Sequence, residues 1–150
     1  MKNVLVVILL CIPLSAQAVC TLLTTNVIFG TYNYSNFAPL DATGNVAVSC
    51  GGVAGQAITY TLSISSGSSG SFVARKMISG RYAMNYNFYL NAMHNTVWGD
   101  GNVGTGVVTD SYPSVAGMNT RNYLIYGRIP GGQAVPPGVY SDALVVTVTY

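Results

Sequence analysis

One histidine, four aspartates and no glutamate are all that this chain of 150 residues offers for proton transfer. A hydrolase needs a nucleophile, a base and an orienting group held together. His94 is the only base of the usual kind, and it stands in a strand-to-loop passage where an ordinary polar role is expected. Asp41, Asp100, Asp110 and Asp142 are scattered, not paired as glycoside cleavage requires. Asp100-Gly101-Asn102-Val103-Gly104 opens like a calcium loop. It lacks the oxygen ligand due at the fifth position and the glutamate due at the twelfth, where Ser111 stands. The same glycines are followed by no lysine and no helix, so they make no phosphate cradle. Arg75-Lys76 with Arg81 is the only basic cluster, flanking the turn-like Ile78-Ser79-Gly80, and it reads as a solvated hairpin end. Nucleic-acid binders carry a larger basic excess. The expectation is a protein with no catalytic centre, cofactor, metal or nucleic-acid partner.

Aromatic side chains leave a binding role open. Trp98, ahead of Gly99-Asp100-Gly101, suits either stacking on a sugar ring or packing in a core corner beside a glycine turn. Tyr112, Phe37 and Leu40 are the other candidates for a ligand-holding loop surface. The cysteines bear on location. Lys2 precedes an apolar run, Val4 to Leu14, and Ala16-Gln17-Ala18 supplies the small residues of a signal-peptidase site. Residues 1–18 are therefore expected to be a cleaved leader, the mature domain being 19–150. The apolar run is shorter than the roughly 20 residues that span a bilayer. A lipid anchor is not expected, because neither Cys11 nor Cys20 follows the small residue that lipid modification prefers. Cys11 leaves with the leader; Cys20 and Cys50 remain as an even pair in an oxidising compartment and are expected to form a disulfide. Without Lys2, five basic residues face four aspartates, a net charge of +1. So small a charge weakens mutual repulsion and suits a subunit packed into a polymer or coat.

These side chains sit on a framework of period two. From Ile58 to Ser65 every even position is apolar or aromatic and every odd one is Thr or Ser. Tyr82, Met84, Tyr86, Phe88 and Leu90 repeat the pattern. Such alternation places one face on a core and the other in water. Further strands are expected over 27–32, 45–50, 72–78, 96–98, 123–129 and 140–150. Between them lie the turn-rich stretches 51–52, 66–71, 99–106 and 130–138. Strands at this spacing without crossover helices imply an all-β antiparallel sandwich or barrel. Leu144, Val146, Val148 and Tyr150 form a last alternating strand, which is expected to be left with an unpaired edge.

The ordered blocks resemble the spore coat protein U family, which includes subunits of archaic chaperone–usher pili of Gram-negative bacteria. They are Cys20, Phe29-Gly30-Thr31-Tyr32, Val46 to Cys50, Tyr60-Thr61-Leu62, Arg75-Lys76-Met77 and Tyr86 to Tyr89. Val97 to Gly101, Tyr126 to Pro130 and Gly138 to Asp142 complete the set. The resemblance implies an incomplete immunoglobulin-like sandwich lacking its seventh strand, which a periplasmic chaperone lends. An outer-membrane usher then exports the subunit, and a neighbouring pilus or coat subunit replaces the chaperone by β-augmentation. Leu144, Val146, Val148 and Tyr150 then mark the acceptor groove. Shaft subunits of the family carry an alternating apolar extension before their first cysteine. Here only Val19 precedes Cys20 after the expected cleavage, which favours a terminal, tip-like or minor subunit, or a coat component held by acceptor contacts, that accepts a strand and gives none. The alternative is a tip adhesin whose loops, through Trp98, Tyr112, Phe37 and Leu40, hold a carbohydrate or an abiotic surface.

Overall fold

The computed structural model describes residues 18–102 and 104–150; the expected leader, through Gln17, lies outside them. Eleven strands run in chain order: β1 (Val19–Thr25), β2 (Leu40–Gly51), β3 (Ala57–Ile64), β4 (Lys76–Ser79), β5 (Tyr82–Asn85), β6 (Asn87–Tyr89), β7 (Val97–Trp98), β8 (Thr105–Gly106), β9 (Val108–Pro113), β10 (Met118–Ile129) and β11 (Val146–Thr149). A single 3-10 turn, Gly67–Ser69, is the only helical element among the described residues. Six strands form one sheet in the order β1-β2-β10-β6-β7-β8, and three form a second, β11-β3-β9. The β4–β5 hairpin stands apart, joined to the rest by an isolated bridge from Ile78 to Ser141. Among the described residues the pairings are antiparallel, as expected of the sandwich, apart from the two-residue parallel pairing of β7 with β8.

The core sits between the two main sheets. Val46 and Val48 from β2, with Ile125 and Ile129 from β10, face Ile58, Tyr60, Leu62 and Ile64 from β3. The alternation read from Ile58 onward thus points inward as expected. Each such side chain contributes about 1.5–3 kcal/mol when fully covered. Cys20 and Cys50 are register partners across β1 and β2 and are joined by a disulfide.

Three expected strands differ. Residues 27–32 join no ladder, and the path turns at Gly30, which has a φ of 76°. The stretch 72–78 yields only β4, because Arg75 turns inward instead of continuing an edge. The expected strand 140–150 is laddered only over β11. Three elements went unforeseen, the two-residue β8 lying within the stretch read as a turn. Leu22-Leu23 hides the alternation of β1, and β9 is mostly polar and ends on a proline.

Candidate functional site: an open cleft in the second sheet

A cleft of about 980 Å³ opens between two stretches of chain that belong to no ladder. One rim is residues 24–34 and the other is residues 135–142 continuing through Leu144 to Val146. Ile64, Met77, Met84, Tyr86, Phe88 and Ile129 lie among the residues of its floor.

The first rim follows β1 away from its sheet. Val27, Phe29 and Tyr32 turn inward, whereas Asn26, Ile28 and Gly30 face out. Two glycines permit this path. A Cβ on Gly44 would stand 2.7 Å from the Val27 Cγ2 atom, and one on Gly127 would stand 2.7 Å from the Phe29 ring. The Phe29 ring meets Tyr86 edge to face at 6.2 Å. Among the described residues, no backbone–backbone hydrogen bond involves residues 26–32. These peptide groups are therefore open to a strand laid beside them.

The second rim is half committed. Ser141 exchanges backbone hydrogen bonds with Ile78, and the Val145 carbonyl accepts from the Ser65 N–H. A strand's backbone groups alternate in direction, so those of Tyr140, Asp142, Leu144 and Val146 point toward the cleft. Their side chains are the half-buried set of this stretch. Pro136 and Pro137 carry no N–H, so a full ladder cannot extend along that end.

Side-chain hydrogen bonds brace the frame. The Tyr32 hydroxyl donates to the Pro130 carbonyl at 3.0 Å and accepts from the Gln133 N–H at 2.7 Å. The Gln133 amide accepts from the Asn85 N–H and donates to the Asn85 carbonyl, at 2.8 and 2.9 Å, filling a ladder position at the end of β5. Asp142, the only charged residue lining the cleft among the described residues, accepts from Tyr86 Oη at 2.8 Å and from the Ser68 and Ala143 N–H groups. Burial and this carboxylate raise the Tyr86 phenol well above its usual pKa. Beneath the floor, Arg75 is fully buried and donates to the Ser65, Ile64 and Trp98 carbonyls and to Asn87 Oδ1. Desolvation lowers its pKa from the ordinary guanidinium value.

Of the residues expected to mark the groove, Leu144 and Val146 line the cleft. Val148 packs against the core further along β11, while Tyr150 lies past that strand and is 58% exposed. The proposed ligand loop is not assembled. Trp98 is 0% exposed and its indole N–H donates to the Leu62 carbonyl, so no face is free for a sugar ring. Tyr112 is buried beneath the Arg121 guanidinium, 4.2 Å from its ring centre. Leu40 is half-buried against the core, and only Phe37 is open to solvent. The hydrophobic interior claimed these aromatics. His94 lies 3.8 Å from Asp41, whose carboxylate is held by two 2.7 Å bonds from Arg128. No nucleophile in hydrogen-bonding contact with it is found among the described residues. Sequence reasoning missed Met77, Met84 and the 135–142 rim as parts of one site; the short Met77–Met84 cross-strand pair was the only local signal.

The Spore Coat Protein U domain model matches residues 6–147. Protein U of Myxococcus xanthus is 27% identical over 135 residues, covering 81% of this chain and 72% of that protein. Among solved structures, a chain of the CsuC–CsuE chaperone–tip adhesion subunit pre-assembly complex, from the archaic chaperone–usher Csu pili of Acinetobacter baumannii, is similar in fold. It aligns with a TM-score of 0.59 at 22% identity, over 89% of this chain. This chain spans 40% of that longer one. The sandwich is thus immunoglobulin-like, and the chain belongs to the Spore Coat Protein U domain family.

Proposed function

We propose that the protein is a structural subunit of a surface fibre or coat, assembled by accepting a strand from a partner. The observation that carries this reading is the cleft. Its floor is apolar, both rims offer unpaired backbone groups, and an extended chain laid between them would continue the second sheet beyond β11. Such β-augmentation gains main-chain hydrogen bonds along both edges and buries alternate side chains over the floor. The partners are a periplasmic chaperone that holds the cleft during export, an outer-membrane usher, and a neighbouring subunit that replaces the chaperone. The route is leader cleavage after Ala18, periplasmic folding with Cys20–Cys50 oxidation, then display on the surface.

The pairing of β1 supports a terminal or minor position if the leader is cleaved after Ala18. Residues from Val19 onward pair with β2 and are tethered through Cys20, so they are committed to their own sheet. A mature chain starting at Val19 accepts a strand and has none to lend.

The test is expression in a periplasm with and without the chaperone encoded beside the gene. The chaperone should convert an aggregating, protease-sensitive product into a soluble one-to-one complex. A stable, protease-resistant monomer obtained without any chaperone would overturn the acceptor reading.

A further inference from the structure

Four methionines remain once Met1, in the expected leader, is set aside, and the fold divides them into two pairs. Met93 and Met118 are 78% and 55% exposed, and neither lines the cleft. Met77 and Met84 keep only 8% and 5%, and both line it. The inner two are direct register partners across β4 and β5. Lys76, Ile78, Ala83 and Asn85, next to them in the chain, are exposed, so the hairpin turns its two thioethers to the core side.

Leucine would fill the same space at little cost. Methionine adds a sulfur lone pair that is open to oxygen transfer. A peroxide gives that lone pair one oxygen atom: its O–O bond breaks, an S–O bond forms, and water leaves. Sulfur is oxidised by two electrons and the peroxide is reduced by two. The sulfoxide that results is a polar hydrogen-bond acceptor set in an apolar floor. Of the floor residues Ile64, Tyr86, Phe88 and Ile129, only Tyr86 carries a side-chain donor, and that hydroxyl already donates to Asp142. Access is set by the cleft. A water molecule takes up about 30 Å³ in the liquid, and a cleft of about 980 Å³ admits a peroxide not much larger. A strand laid over the floor excludes it.

We propose that Met77 and Met84 form a peroxide-oxidation site gated by the cleft. While the cleft is open the pair is converted to sulfoxides, and the oxidised floor no longer accepts a strand. This rests on the acceptor reading and adds a redox state of the floor to it. Covering a sulfoxide that finds no donor should weaken strand binding about tenfold. A chaperone seated on the cleft then keeps the floor reduced as well as covered.

The test compares the complex with the chaperone encoded beside the gene and the subunit released from that complex. Each is treated with hydrogen peroxide and mapped by peptide mass spectrometry, with Met93 and Met118 reporting the dose. Met77 and Met84 should oxidise in the released subunit and be spared in the complex. The oxidised subunit should rebind the chaperone at least tenfold more weakly, with the emission of the buried Trp98 unchanged. The two methionine sulfoxide reductases, one for each epimer, should restore binding. Met77→Leu with Met84→Leu conserves volume and should rebind equally well before and after peroxide. Met93→Leu with Met118→Leu should lose binding as the parent does. Equal oxidation of the floor pair in both samples, undiminished rebinding after it, or an equal loss in the Met77→Leu/Met84→Leu variant would overturn the proposal. So would a changed Trp98 emission, the mark of general damage. Each of these leaves the acceptor reading standing. Failure of the untreated subunit to rebind the chaperone would overturn both.

Discussion

Replacing Arg75 with alanine should nearly unfold the bare subunit, and the structure sets the size of the effect. The guanidinium donates at 2.8 Å to the Ser65 carbonyl, 2.8 Å to the Trp98 carbonyl and 2.7 Å to Asn87 Oδ1. It thereby ties the end of β3 to β6 and β7. The three ion pairs found among the described residues involve other groups, so the acceptors bonded directly to this cation are neutral, with the Asp142 charge acting on it only from a distance. Each buried polar group orphaned by truncation costs about 1–3 kcal/mol. Asn87 Oδ1 keeps a second donor, the Phe88 N–H, and water can enter the vacated space, so a total near 4 kcal/mol is expected. Whole domains are stable by only about 5–15 kcal/mol. Urea unfolding followed by fluorescence is a direct assay, because Trp98 is the sole tryptophan, fully buried, and itself an Arg75 partner. At a denaturant slope of about 2 kcal/mol per molar, the midpoint should fall by roughly 2 M. Arg75→Lys should lose nearly as much, since a compact ammonium cannot serve acceptors spread around a planar fork. A lysine variant within about 0.5 kcal/mol of the parent would refute the reasoning, because charge alone would then suffice.

Cys50→Ser opens a link between residues 30 apart in sequence and should cost about 3–4 kcal/mol, read as a lower denaturation midpoint and poorer periplasmic yield. Gly127→Val crowds the Phe29 ring and should displace the first rim at a cost of about 1–3 kcal/mol. Donor-peptide affinity should fall further than stability alone accounts for, whereas Val at the outward-facing, solvent-exposed Thr147 should change neither. The Asp41 carboxyl is held below its ordinary pKa chiefly by the Arg128 hydrogen bonds. Its contribution is present above the unfolded value of about 3.8 and is lost as pH falls through the lower folded one. Arg128→Ala should return the Asp41 titration, followed by carbon-13 NMR, toward that ordinary value and flatten this part of the acid limb.

The long strands were legible because each has one dry face and one wet face. Ile58 to Ile64 and the Val46–Cys50 run announce their inward side residue by residue. Tyr82 to Leu90 reads as one strand in sequence but divides into β5 and β6. Up to Tyr86, whose N–H donates to the Arg75 carbonyl one rung beyond the β4–β5 ladder, the chain pairs within its hairpin; from Asn87 it pairs with β10, a change of partner that no local pattern encodes. Arg75 misleads for the same reason. An arginine beside a lysine looks like a solvated hairpin end, and only the assembled fold supplies the carbonyls that make its burial tolerable. Trp98 looks equally suited to a sugar and to a core until the Leu62 carbonyl takes its N–H.

The cleft shows why a site can be half visible in sequence. The expected strands 27–32 and 140–150 have the alternation of edge strands, yet the first joins no ladder and the second does so only over β11. Local propensity favours an extended chain, whereas a ladder needs a neighbouring strand, which on the proposed reading a partner supplies. Exposed edges are usually blunted by charge, bulges or covering loops. These rims carry no Lys or Arg, and the carboxylate of Asp142 is already engaged by Tyr86, so neither repels an incoming strand. The floor beneath them is apolar and includes two adaptable methionines, Met77 and Met84, which suits successive occupants of differing shape. On the proposed acceptor role, the mismatch between strand-like sequence and unladdered backbone is itself the functional signal, and it becomes readable only once the two sheets are seen to leave a gap between residues 24–34 and 135–146.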